Sequence, residues 1–235
     1  MNQTPQEAKD DFLALASHQL RTPATGVKQY IGMLKEGLAG PMSDLQIKLI
    51  NKAYESNERQ LNIINEMLFV ARADSGQIKI QENLINLNGL LQDIVDEQQV
   101  IFTSKKQKRK IDLPERNVFL VGDIQYLRMA LENLISNASK YTPDGGRVEV
   151  SLSDSTDEII IQVYDTGVGV DKEDEGLLFK KFARISNKLS LEVSGTGLGL
   201  YLVKKVIEAH HGRIEFHSKI GVGSKVKVIM PKKTK

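Results

Sequence analysis

The sequence predicts two architectures in one chain. An N-terminal antiparallel helical hairpin would pair with a second copy as a dimeric four-helix bundle. A C-terminal α+β two-layer sandwich would follow it. Three observations predict this. Apolar or small residues recur at helical spacing through the first third of the chain. A glycine and proline break cuts that stretch in two. Past about residue 76 the pattern changes to short strand-like runs separated by helical stretches.

Residues 5–73 read as two long helices. The first carries Leu13, Ala16, Leu20, Pro23, Val27, Ile31 and Leu34. The second carries Ile47, Ile50, Tyr54, Asn57, Leu61, Ile64, Leu68 and Ala71, whose spacing of alternate threes and fours is a heptad seam. Between the helices, Gly37 and Gly40 can end a helix, Pro41 cannot continue one, and Ser43 with Asp44 can cap the next. Two helices bury too little surface to stand alone, so two hairpins are expected to pair. Pro23 has no N–H, which leaves the Gln19 carbonyl without its helical partner, and a bend is expected there.

The run from Ala73 to Gly76 closes the hairpin, which gives domains at 1–75 and 76–235. Strands are expected at 118–121, 147–153, 158–165, 213–218 and 225–230, and helices at 88–103, 123–141 and 198–211. Gly221-Val222-Gly223 reads as the hairpin turn before the last strand. Residues 170–194 are polar with little periodicity and read as a lid.

Composition narrows the function. Thirty-two Lys and Arg against 30 Asp and Glu give a net charge of +2, so nothing calls for nucleic acid or an anionic membrane. The basic run Lys105, Lys106, Lys108, Arg109, Lys110 is expected to be a solvated loop. The absence of cysteine excludes thiolate chemistry and cysteine zinc sites. No apolar run reaches the length of a membrane span, so the chain is expected to be soluble.

Three clusters carry chemistry. Asn133 and Asn137 sit four apart on one helix, on a strip with Lys140 and Tyr141, beside the apolar stripe Ile124, Leu127, Leu131, Leu134, Ala138. Amide oxygens there suit magnesium, or are plain helix-surface amides. Asp165 ends an apolar strand and is followed by Gly167 and Gly169. It can accept a hydrogen bond from the amino group of a base, or it is an ordinary strand exit. Gly195-Thr196-Gly197-Leu198-Gly199-Leu200 opens a helix, where free N–H groups and the helix dipole favour an anion. The spacing is neither that of a dinucleotide-binding fold nor that of a P-loop. Between the last two clusters, Phe179 and Phe182 can anchor a lid, and Arg184 can meet phosphate.

These segments, in this order, resemble the N, first glycine, F and second glycine boxes of the histidine-kinase ATPase domain, the Bergerat (GHKL) fold shared with gyrase, a chaperone family and mismatch-repair ATPases. Residues 12–23, with Ser17-His18-Gln19-Leu20-Arg21-Thr22-Pro23, resemble the H box of the same kinases. The resemblance implies ATP and Mg2+ as cofactors. Asn137, helped by Asn133, would bind the metal, Asp165 would recognise adenine, and the 195–200 backbone would hold phosphates. It implies a cytoplasmic homodimer, or the cytoplasmic portion of a membrane-bound sensor. His18 would be the phosphoacceptor and a response regulator receiver domain the partner.

His18 lies about 200° around the helix from both Ala16 and Leu20, so it is expected to face solvent. His210 and His211 precede Gly212 at a helix end and read as structural. Two positions depart from the family pattern. Gln19 replaces the acid that accepts the imidazole proton, and Lys180 replaces the acid of the F box. Thr22 matches the position that in the family orients water for dephosphorylating the partner. Mechanical output of the gyrase kind would need a catalytic glutamate at position 133, where the chain has asparagine. A nucleotide-sensing scaffold, or mainly a phosphatase, stays open because of Gln19.

Overall fold

A computed structural model describes residues 5–183, 185 and 195–232, and for 5–15, 17 and 18 it describes the backbone alone. The chain divides into two compact units, Met1–Ile78 and Lys79–Lys235.

In the first unit, helix α1 spans Pro5–Lys35 and runs through Pro23, and α2 spans Asp44–Asp74. Gly37 and Gly40 take positive φ (81° and 91°) in the turn between them. Ser43 starts α2 with a capping box: its N–H donates to Gln46 Oε1 (2.8 Å) and its Oγ accepts from the Gln46 N–H (3.4 Å). The hairpin core is Ala24 against Ile64 and Leu68, flanked by Leu61. Buried Asn57 donates to the Ala24 carbonyl (2.9 Å), and Lys28 pairs with Glu58 (2.9 Å).

The expected α1 stripe is therefore revised. Leu20 and Val27 are about half exposed, 52% and 47%, and among the described side chains of α1 the one buried against α2 is Ala24. Among its described side chains, a single hairpin covers Ala24 of α1 and leaves Leu20, Val27 and Leu34 in solvent.

The second unit is a sheet layer and a helix layer. Helix α3 spans Leu87–Glu97, α4 Gln99–Ser104, α5 Ile124–Tyr141 and α6 Gly199–Ala209. Strands are β1 (Asn83–Asn86), β2 (Lys108–Asp112), β3 (Phe119–Gly122), β4 (Arg147–Asp154), β5 (Glu158–Asp165), β6 (Arg213–Lys219) and β7 (Gly223–Pro231). The main sheet runs β2-β4-β5-β7-β6, with β2 parallel to β4 and every other pair antiparallel. β1 and β3 form a separate antiparallel pair.

Alternation sets the packing. Val148, Val150 and Leu152 of β4, and Ile159, Ile161 and Val163 of β5, are buried, with the intervening residues more open. Leu127, Leu131 and Leu134 of α5 and Leu202, Val203 and Val206 of α6 are buried too. Ile124, expected in the α5 stripe, is 45% exposed at the start of the helix.

Two further expectations change. The helix expected over 88–103 is two helices, α3 and α4, meeting at the buried Gln98. The basic run is not a solvated loop: Lys108, Arg109 and Lys110 lie on β2, an edge strand whose exposed charges suit an edge.

Candidate functional site

Asp165 closes β5 and is buried. Its Oδ1 accepts two backbone N–H groups, from Gly167 (2.8 Å) and Ser224 (3.2 Å). Burial pushes the carboxyl up to about 6, and the two N–H bonds oppose that rise. Both bonds fall on Oδ1, so among the described residues Oδ2 is left for an incoming donor.

The loop after Asp165 is packed too closely for side chains. A Cβ at Gly167 would lie 2.5 Å from the Tyr141 carbonyl oxygen. Gly169 (φ 68°) has no room beside the Lys219 carbonyl, and Gly223 (φ 134°) none beside the Asp165 carbonyl. The loop is held by Val168 N–H to the Tyr141 carbonyl (3.1 Å), Gly221 N–H to the Val168 carbonyl (2.9 Å) and Val170 N–H to Ser218 Oγ (2.8 Å). The end of α5 and the β6–β7 turn thus grip it together.

Asn133 and Asn137 lie half-buried on α5. Asn133 Nδ2 donates to the Met129 carbonyl (2.9 Å), and its Oδ1 sits against the first residue of α6, where a Cβ at Gly199 would lie 2.5 Å away. Asn137 Nδ2 is 3.9 Å from that same Cβ position, and no described residue hydrogen-bonds the Asn137 amide. Lys140 is exposed and Tyr141 half-buried in the next turn.

The segment from Gly195 leads into α6. Thr196 Oγ1 accepts from the Leu198 N–H (3.2 Å), and Leu198 is buried. Gly197 (φ 70°) lies against the Phe182 backbone. Among the described residues no side chain caps the N-terminus of α6, so its first N–H groups, at Gly199 and Leu200, are available to an anion. A buried carboxylate, two amide side chains and an uncapped helix start therefore converge between β5, α5 and α6. That set can accept a donor from a base, offer hard oxygens to a divalent cation and receive phosphate oxygens.

The lid region holds only part of its expected anchor. Phe179 meets Phe216 of β6 edge-on (centroids 6.2 Å, 80°), while Phe182 is 65% exposed. Arg184 lies outside the described residues.

His18 and Gln19 lie on α1. Gln19 and Thr22 are exposed, and the His18 side chain lies outside the described residues. His210 is buried at the end of α6. Its Nδ1 donates to the Val206 carbonyl (2.7 Å), and its Nε2 accepts the Asp123 N–H (2.9 Å). Burial lowers its pKa. Asp123 in turn caps α5 through Oδ1, so His210 ties the end of one site helix to the start of the other.

Sequence reasoning missed Ser218, Ser224, Lys105 and Gln107, which hold the site from outside it. The glycine turn at 221–223 was a signal for the two serines. Nothing local marked the other two, whose partners lie more than 30 residues on.

Residues 122–234 match the family described as histidine kinase-, DNA gyrase B-, and HSP90-like ATPase, and residues 8–76 match the His Kinase A (phospho-acceptor) domain. The circadian input-output histidine kinase CikA of Synechococcus elongatus is 33% identical over 99% of this chain and 31% of its own length. The sensor histidine kinase WalK of Bacillus subtilis is 31% identical over 98% of this chain and 38% of its own. The chain thus spans about a third of the length of these curated relatives. Among solved structures, full-length ShkA in complex with AMPPNP matches with a TM-score of 0.76 at 24% identity, over 94% of this chain and 45% of that one. The Acinetobacter baumannii histidine kinase AdeS matches with a TM-score of 0.63 at 21% identity, over 92% and 98%. At these identities the two structures speak for the fold.

Proposed function

Since the chain belongs to the ATP-dependent protein histidine kinases, as the catalytic core of a sensor kinase, we propose that it phosphorylates its own His18 from ATP and passes the phosphoryl group to an aspartate of a response regulator receiver domain. One observation carries this reading. A single chain holds a phospho-acceptor match that contains His18 and an ATPase match that contains every site residue from Asn133 to Leu200.

In this reading, Asp165 accepts the adenine amino group through Oδ2. The backbone from Gly195 to Leu200 receives phosphate oxygens, with Thr196 and the start of α6 adding donors. Lys140 and Tyr141 line the phosphate and ribose side, and Arg184, outside the described residues, is assigned a phosphate contact from the sequence alone. Asn137 and Asn133 fit Mg2+: their amide oxygens are hard ligands, and the half-buried Asn137 amide has no hydrogen bond among the described residues. Bound there, the ion neutralises phosphate charge.

The chemical step is an in-line displacement. A His18 ring nitrogen forms a bond to the γ-phosphorus while the bond to the β–γ bridging oxygen breaks, and ADP leaves with that oxygen. The other ring nitrogen keeps its proton, and Gln19 accepts a hydrogen bond from it without supplying negative charge. Thr22, one turn on, orients water for the reverse role of dephosphorylating the regulator.

The exposed strip Leu20, Val27 and Leu34 supports the homodimer, since a second hairpin would cover it. No described helix is long and apolar enough to cross a membrane; we assign the chain to the cytoplasm because ATP and the response regulator of this reading are found there.

Incubation with γ-labelled ATP and magnesium tests the reading. Wild type should take up acid-labile, base-stable label, and His18→Ala and Asn137→Ala should not. Label retained by His18→Ala would overturn it.

A further inference from the structure

The last turn of α5 carries Asn137, Lys140 and Tyr141, and its end is held from outside the site. A helix leaves its final carbonyls without intrahelical partners. Here each is claimed. The Ala138 carbonyl accepts Thr142 Oγ1 (2.7 Å). The Ser139 carbonyl accepts Lys105 Nζ (2.8 Å) and Gln107 Nε2 (3.0 Å). The Lys140 carbonyl accepts Lys105 Nζ (3.2 Å), and the Thr142 carbonyl accepts both Lys105 Nζ (3.2 Å) and Gln107 Nε2 (2.7 Å). Buried Ser139 closes the circuit by donating to Gln107 Oε1 (2.7 Å). The remaining carbonyl, that of Tyr141, accepts Val168 N–H from the adenine loop.

Lys105 and Gln107 reach this point because Lys106 between them takes φ 51°. The backbone is stitched on both sides, by Gly145 N–H to the Lys105 carbonyl (2.9 Å) and Lys108 N–H to the Gly146 carbonyl (2.8 Å). A cation at a helix C-terminus also meets the negative end of the dipole.

Resting on the nucleotide-site reading above, we propose that Lys105 and Gln107 are positioning residues for ATP: they fix the end of α5, and through it Asn137, Lys140, Tyr141 and the Asp165 loop. Neither is placed to touch nucleotide. They set the register of the turn that does. Gly167 leaves no space against the Tyr141 carbonyl, so a shift of that turn displaces the adenine loop with it.

The test uses the full chain. Lys105→Met and Gln107→Met keep the apolar stems and remove the donors, and Lys105→Arg restores one. Steady-state labelling from ATP should show KM raised roughly tenfold in both methionine variants, with kcat within about twofold. Lys105→Arg should recover most of the change. A clamp that merely stabilised the fold would instead lower the active fraction, so kcat would fall at unchanged KM. That result, or KM unchanged in both variants, overturns the proposal. Lys105 is half-exposed, so its variant keeps the test open if buried Gln107→Met fails to fold. ADP titration of Asp165→Ala and Asn137→Ala separates the two readings. If these bind as wild type does, the site assignment falls; if they lose ADP while the clamp variants keep it, only the clamp falls.

Discussion

The Ser224 backbone N–H donates to Oδ1 of Asp165 across 3.2 Å, joining residues 59 apart in sequence. Together with the Gly167 N–H it holds one carboxylate oxygen, and among the described residues the other accepts no hydrogen bond. Burial outweighs both bonds, and the group titrates at about 6.

Nucleotide should reverse that balance. An amino group donating to the carboxylate favours its charged form, so the Asp165 midpoint should fall when ADP binds. A carbon-13 NMR titration of the carboxyl, with and without ADP, measures this. A midpoint that stays near 6 would remove Asp165 from adenine recognition. Without ligand, the folded-state value lies above the unfolded one. The stabilisation from protonated Asp165 is therefore present at low pH and lost as pH rises through about 6.

His210 has the opposite sign. Its pKa is lowered from 6.5, because burial disfavours the cation and Nε2 must stay unprotonated to accept from Asp123. The unfolded chain takes up the proton first, so this stability is complete above about 6.5 and declines as pH falls. Thermal melts of wild type and His210→Gln from pH 7.5 to 5.5 should converge toward acid. A gap that widens in that direction would contradict the neutral assignment.

Gly122→Ala should cost about 1–3 kcal/mol. The new methyl would lie 2.7 Å from His210 Cδ2 and 3.0 Å from Nε2, in a buried place where two hydrogen bonds hold the His210 ring. Urea unfolding at pH 7.5 reads the loss directly. A change under about 0.5 kcal/mol would mean that the junction between α5 and α6 is softer than its contacts imply.

Gly199→Ala acts on function. Its methyl would press on Asn133 Oδ1 at 2.5 Å. The magnesium concentration for half-maximal labelling should rise roughly tenfold, with little change in melting temperature. If the magnesium requirement is unmoved, Asn133 does not serve the metal.

Gln19→Glu should raise the rate of His18 labelling roughly tenfold, since a carboxylate stabilises the developing imidazolium where an amide only accepts a hydrogen bond. An unchanged single-turnover rate would remove position 19 from the proton's path.

Much of this was legible in the sequence because the pattern was long. The α2 seam from Ile47 to Ala71 repeats often enough to fix the helix and marks its buried Asn57, Ile64 and Leu68, though Ile47 is exposed and Phe69 and Val70 are buried off the seam. The alternation through β5 fixes both that strand and its buried face. The short elements were not legible. β1 has four residues with Ile85 alone buried, and β2 has five with only Ile111 partly covered. Their pairing lies in the sheet, not in their own composition. Gln98 breaks α3 from α4 with neither glycine nor proline to signal it. At the site, Asp165 and the glycines announced themselves through turn chemistry. Lys105 and Gln107 did not, because a side chain that caps a helix 34 residues later leaves no periodicity to read.

The place of β7 in the sheet also sets an order of events. It is the latest described strand in sequence, yet it lies between β5 and β6. A chain leaving the ribosome presents β5 with one edge open until β7 arrives, and the Ser224 N–H that steadies Asp165 arrives with it. Competence to bind nucleotide is thus among the last properties the nascent domain acquires, and ligand can reward only a chain whose translation has passed that strand.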